Sequence, residues 1–201
     1  MTSLKVTAHL ITPCIGIDGH AFMLDGPLSW AYAQRALASG QELPPLTPSY
    51  AADFPLPLER WVEGGTWGWC SSRARYEVAS HTTVEIRRKP AAAAMARFGA
   101  DRRMHLGLGP HKARDAMVPA VWAPVIEWHV EAVDQDDLES LLTLITHLGA
   151  RHRNGFGTVQ SWRIEPGAAN AWRDRPMPHP SGIPAGVRAP YHHHTRRVPC
   201  L

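Results

Sequence analysis

The chain has 201 residues, 44% of them hydrophobic, which suits one sizeable core in a single domain with insertions. Its formal charge of +3, from 21 Lys and Arg against 18 Asp and Glu, is too small to identify a nucleic-acid partner by itself. Three widely spaced cysteines, Cys14, Cys70 and Cys200, argue against a disulfide framework or a four-thiolate zinc site. With no leader or membrane span legible, a soluble, unexported protein of a reducing cytoplasm is expected.

Lys5 to Pro13 reads as a strand, Val6, Ala8, Leu10 and Thr12 alternating with Lys5, Thr7, His9 and Ile11. After the turn IGIDGH, Asp25-Gly26-Pro27 marks a helix start, and Leu28, Ala31, Tyr32, Arg35 and Ala36 repeat at helical spacing as far as Ser39-Gly40. The next stretch, 41–66, holds Pro44, Pro45, Pro48, Pro55 and Pro57 and is expected to be an irregular excursion. Trp67 to Val78 and His81 to Lys89 have the aromatic and β-branched content of strands, and alternation places Arg73 and Arg75 on one face. Residues 91–119 join a short-helix candidate, AAAAMARF, to the glycine- and proline-containing GLGPHKARDAMVP and read as a second insertion.

Val125 to Ala132 alternates as a strand. Asp136 or Asp137 then caps a helix that carries Leu138, Leu141, Leu142, Ile145 and Leu148 and ends at Gly149. Beyond a basic loop, Thr158 to Glu165 resumes strand alternation, and the Pro-, Gly-, His- and Arg-rich tail from Gly167 needs a partner or the core surface for order. The succession predicts an α+β, ferredoxin-like (RRM-like) core over 1–166, with insertions at about 41–66 and 91–119. Residues 167–201 are expected to form an extended, partner-dependent C-terminal tail.

Most cations are arginines in small groups, among them Arg73 and Arg75, Arg102 and Arg103, Lys112 and Arg114, and Arg151 and Arg153, whereas acids concentrate at Asp134 to Glu139. A guanidinium is a planar fork of donors that matches phosphate, so this bias fits phosphate contact. The densest pattern is Gly149-Ala150-Arg151-His152-Arg153-Asn154-Gly155-Phe156-Gly157. Glycine permits positive φ and close backbone approach, so amides there can turn toward an anion while Arg151 and Arg153 add charge-assisted bonds. Phe156, between two glycines, is placed to stack on a base or ribose. The plainer alternative is a helix cap at Gly149 followed by an ordinary turn. No Gly-Lys-Ser or Gly-Lys-Thr follows, so ATP is not the expected ligand.

A helix ending in Gly, a short basic stretch and Gly-Phe-Gly leading into a strand resembles the glycine-rich loop of the RAMP superfamily, the ferredoxin-like RNA-binding proteins of CRISPR systems. Leu24-Asp25-Gly26-Pro27-Leu28, Gly109-Pro110-His111-Lys112-Ala113, Trp128 to Leu148 and the closing Arg197-Val198-Pro199 are similar to the type IV CRISPR subunit that caps the 5′ handle of the guide RNA. The resemblance implies a non-cleaving, prokaryotic, cytoplasmic crRNA-binding subunit. Its implied partners are the backbone-filament subunit and the large subunit, close to where target DNA is inspected beside the PAM.

His111, Lys112 and Arg114, and Arg102 and Arg103 beside His105, form a basic insertion expected to lie along RNA phosphates; the alternative is a solvated surface loop. A competing function is metal-independent guide-RNA cleavage, with His9 or His81 beside Tyr76 or Lys112 moving the protons. A third is a protein-interaction domain whose glycine loop is only a turn. His192-His193-His194 lacks the flanking Cys or carboxylate pattern of a zinc site, and no metal or cofactor is assigned. Trp128 and Trp162 are expected in the sheet, and at least one of Trp61, Trp67 and Trp69 at a subunit contact.

Overall fold

A computed structural model describes residues 1–17, 22–88 and 114–201. Strand β1 (Thr2–Leu10) lies between β6 (Val125–Ala132) and β7 (Val159–Pro166) in an antiparallel three-stranded sheet. Two helices, α1 (Asp25–Ala38) and α2 (Gln135–Leu144), follow β1 and β6. The chain is therefore α+β, and the sheet is consistent with a ferredoxin-like core.

Period-two alternation in β1 and β6 sends Leu4, Val6, Ala8 and Leu10, with Ile126, Trp128 and Val130, to one buried face. Leu28 and Ala31 of α1 and Leu138, Leu141 and Leu142 of α2 cover it. Trp128 is fully enclosed and donates its indole N–H to the Phe22 carbonyl at 2.9 Å. A bulge opposite His9 and Leu10 lets Val159 join Trp162 and Ile164 against this core. Trp128 and Trp162 thus sit in the sheet as expected, with Arg35 of α1 paired to Asp137 of α2 across the helices.

Several expected boundaries move. The last strand-to-loop border of β1 falls at Leu10 rather than Pro13. α2 is capped by Asp134, whose carboxylate accepts from the Asp137 amide at 3.0 Å, and it ends at Leu144 rather than Gly149. The chain turns extended at Ile145, because Thr146 and Leu148 exchange backbone bonds with Val159 and Gly157 (2.9 and 2.8 Å). Ile145 and Leu148 are still buried, but from an extended segment.

Trp67 to Val78 is not one strand. Residues Arg60–Glu63 (β2) and Thr66–Trp69 (β3) form a hairpin closed by Gly64 and Gly65, both with positive φ, the pattern of a two-residue turn. Beyond Trp69, the run meets the outer edge of β6 as two isolated bridges, Ser71 to Val130 and Arg75 to Glu127, rather than as a continuous ladder. Serine hydroxyls interrupt the ladder there: Ser72 Oγ accepts from the His129 amide at 2.9 Å and Ser71 Oγ from the Leu24 amide at 3.2 Å. The excursion over 41–66 also returns to the core, where Leu56 and Leu58 are buried.

Strand β4 (Ser80–Arg88) pairs over its whole length with β5 (Arg114–Trp122) as a two-stranded arm, so residues 114–119 of the expected second insertion are strand. Residues 91–113 and Lys89 lie outside the described residues.

The tail finds its order on the core surface. Strands β8 (Pro178–Gly186) and β9 (Arg197–Cys200) pair with each other, and Trp172, Val187 and Cys200 bury a second apolar cluster with Trp61 and Cys70. At its centre Arg175, 2% exposed, donates to the carbonyls of Trp69, Ser71 and Val187. Arg188 and Arg196 both pair with Asp53 of the excursion (2.9 and 3.0 Å). Trp61 and Trp69 are buried, Trp67 is half-buried, and Arg60 stands over the rings of Trp67 and Trp69 (4.4 and 4.7 Å); Trp30 is 50% exposed. The three cysteines are buried free thiols, and burial raises the Cys14 thiol to about 11 and Cys70 to about 12.

A second latch joins the tail to α1. Asp25, expected only to start the helix, is buried and accepts from the Tyr191 hydroxyl and, at 3.3 Å, from the Ala189 amide. Burial pushes its carboxyl above the usual range against the pull of Arg175 and these donors. A carboxyl raised on folding stabilises the fold fully below its unfolded value, and that contribution fades as pH rises through the folded one. Asp25→Asn is expected to flatten this part of the pH dependence: its melting temperature should fall less than the parent's as pH rises from about 4. Parallel melting curves would refute the assignment.

Candidate nucleic-acid interface

The glycine-rich loop is pinned at its base and open at its crown. Gly149, Gly155 and Gly157 all have positive φ, and so does Arg151 (62°). At the base, Ala150 donates to the Ile15 carbonyl at 2.7 Å and Gly157 to the Pro13 carbonyl at 2.8 Å. Thr158 donates to Thr12 Oγ1 at 2.8 Å. At the crown, a 3-10 turn over His152–Asn154 leaves Arg151, His152, Arg153 and Asn154 exposed and Phe156 half-buried. Among the described residues neither Arg151 nor Arg153 has an acidic partner.

One expectation needs correction. The amides of Gly155 and Gly157 are taken up by the carbonyls of His152 (2.9 Å) and Pro13, so they do not point at an anion. What the loop presents instead is side-chain charge on a rigid frame. The frame depends on the absence of Cβ: one built on Gly157 would stand 1.8 Å from the Leu148 carbonyl oxygen, whereas one on Gly155 meets nothing within 4 Å. Both positions carry the left-handed cost of roughly 1–2 kcal/mol for an L side chain. Gly157→Ala is therefore expected to lower the melting temperature clearly more than Gly155→Ala. Equal effects would show that the Leu148 contact does not set the frame.

The loop shares its support with the arm. Within the run Thr12 to Gly16, Pro13 and Ile15 face the loop, whereas Cys14 exchanges two 2.8 Å bonds with Val121 at the base of β5. Glycine loop and β4–β5 arm therefore leave the same end of the sheet on either side of one segment. This platform was missed in the sequence, where Pro13 read only as the end of a strand.

The other expected contact residues are not all brought here. Arg73 and Arg75 do share a side, as the alternation implied, but both are held by Asp174 (3.0 and 2.8 Å) beyond the β6 edge, with β7 and the loop at the opposite edge. Arg114 opens β5; Arg102, Arg103, His111 and Lys112 lie outside the described residues. His9 and His81 fall on β1 and β4, and the Tyr76 hydroxyl donates to the Ile17 carbonyl at 3.1 Å. His193 is buried with its ring nitrogens on Thr195 Oγ1 and the Thr47 carbonyl (2.7 and 2.8 Å), a packing role for the middle of the histidine run. Among the described residues no group of three or more His, Cys, Asp or Glu is placed to hold a metal ion. No helix among them is long and apolar enough to cross a membrane.

Fold and surface together define an α+β protein with an antiparallel sheet and an exposed, cation-bearing glycine loop at one end of it. Residues 107–201, a little under half of the chain, match the family model described as CRISPR type IV associated protein Csf3. The match takes in the arm's second strand, the loop and the tail, and the resemblance to a type IV CRISPR-associated subunit holds on that ground. No curated protein matches the chain.

Proposed function

We propose that this chain is a non-catalytic crRNA-binding subunit of a type IV CRISPR complex, a RAMP protein with a ferredoxin-like core that caps the 5′ handle of the guide. Its own sheet order, β7, β1 and β6 continued irregularly by Ser71 and Arg75, supports that core, with 1–166 as the domain and 167–201 as its tail. The observation that carries the functional reading is the pinned loop whose Arg151 and Arg153 face outward without acidic partners among the described residues. Exposed guanidinium groups on a fixed frame favour phosphate, and single-stranded RNA supplies phosphates at regular spacing. Arg114, at the start of β5, and the basic residues Arg102, Arg103, His111 and Lys112 that precede it in sequence are the further RNA contacts in this reading. Arg73 and Arg75, already held by Asp174, contribute less in this reading. The backbone-filament and large subunits are the protein partners, with target DNA inspected nearby, in a prokaryotic cytoplasm.

The test is to incubate the purified protein with repeat RNA in the absence of added metal. Retention of intact RNA is expected. A discrete cleavage product would replace the cap by a guide-processing endoribonuclease, and absence of RNA from every assembled state would leave a protein-interaction domain.

A further inference from the structure

A cavity of about 540 Å³ lies between the first turn of α1 and the tail. Its lining includes two aromatic rings, Phe22 and Tyr191, and two exposed basic side chains, His192 and Arg197. Both rings are fixed by other residues: Phe22 packs edge-on against Trp128 at 6.0 Å between centroids, and the Tyr191 hydroxyl is held by the buried Asp25 carboxylate. Arg197 is oriented by a 2.9 Å bond to the Pro184 carbonyl.

Gly16 connects this cavity to the loop. It lines the cavity wall, and a Cβ built on it would stand 3.6 Å from that of Ala150, the residue before Arg151. A strand whose phosphates lie on Arg151 and Arg153 therefore passes beside the opening. Fixed aromatic rings with cations near them suit an unstacked base whose phosphate stays outside.

We propose that the cavity takes one unstacked base of the RNA strand held by the Gly149–Gly157 loop, an inference that rests on the RNA-binding function proposed above. Gly26, which lines the same space, offers a selective way to fill it. Its φ is not in the left-handed region, and a Cβ there meets the Tyr191 ring at 3.7 Å, an ordinary contact. Gly26→Ala should be tolerated and Gly26→Leu should occupy the cavity.

The experiment is photo-crosslinking of the full chain to a single-stranded RNA decamer carrying 5-iodouridine, with adducts mapped by mass spectrometry. Adducts on Phe22 or Tyr191 are expected, reduced roughly tenfold by Gly26→Leu, the worth of one stacked base, and retained by Gly26→Ala. Adducts confined to the loop, at Phe156 and its neighbours, would overturn the cavity assignment while leaving the loop reading intact. Cavity adducts indifferent to Gly26→Leu would also overturn it. Absence of both adducts and retained RNA would sink the RNA-binding reading itself. Should Gly26→Leu fail to fold, as judged by its melting curve, the adduct map of the unsubstituted protein decides.

Discussion

Alanine at both Arg151 and Arg153 is expected to weaken guide-RNA retention at least about tenfold, on the scale of one lost charge-assisted hydrogen bond or more. The loss should depend on salt in a defined way. Each phosphate contact to a single strand contributes about 0.7 to the slope of log affinity against log salt, so removing two lowers that slope by roughly 1.4. Filter binding across a salt series reads both quantities. The double variant should fold normally, since both side chains are exposed and the base of the loop is held by Ala150, Gly157 and Thr158. An unchanged slope with unchanged affinity would place the bound phosphates elsewhere.

Arg175→Met is expected to give the largest loss of stability. This side chain is buried where the tail meets the β2–β3 hairpin, and its guanidinium serves three carbonyls, on Trp69, Ser71 and Val187. Methionine fills much of the volume but leaves the Ser71 and Val187 oxygens without their donor, at about 1–3 kcal/mol for each buried group left unsatisfied, while the Trp69 oxygen keeps the Ser71 amide. A total of about 3 kcal/mol corresponds to a melting temperature lower by roughly 6–12 °C for a chain of this size. Tryptophan emission should shift to the red in parallel, because Trp61 and Trp172 share the cluster beside it. A variant as stable as the parent would mean that the tail is held without this residue.

The sequence was most legible where one periodicity met one environment. Strand β6 runs over Val125–Ala132, as its alternation said, and α1 begins at the Asp25-Gly26-Pro27 signal. Legibility failed where side chains rather than the backbone ladder hold the chain. Ser71 and Ser72 bond to the amides of Leu24 and His129, so a strand-like run becomes a series of isolated bridges. The Gly64-Gly65 turn carried a readable hairpin signal, obscured by the prolines before it. The end of α2 was misplaced because Ile145 and Leu148 continue the apolar spacing after the helix has stopped.

At the loop, the sequence identified the residues and the sign of the charge but not the donors. Arg151 and Arg153 are exposed as expected, whereas the amides of Gly155 and Gly157 are taken up by the carbonyls of His152 and Pro13. Glycine spacing announces an unusual backbone path and leaves open what the amides face; for Gly157 the answer lay in Pro13, more than 130 residues earlier in the chain. The neighbourhood of Phe22 and Tyr191 was illegible for the same reason, since tail and first helix meet only after folding.

Within the run from Thr12 to Gly16, the backbone carbonyls of Pro13 and Ile15 serve one appendage and the backbone of Cys14 between them serves the other. Such parity makes the segment intolerant of length change. One residue inserted between Pro13 and Ile15 would exchange the two sides, aiming each peptide group at the wrong neighbour and unseating whichever appendage could not re-pair.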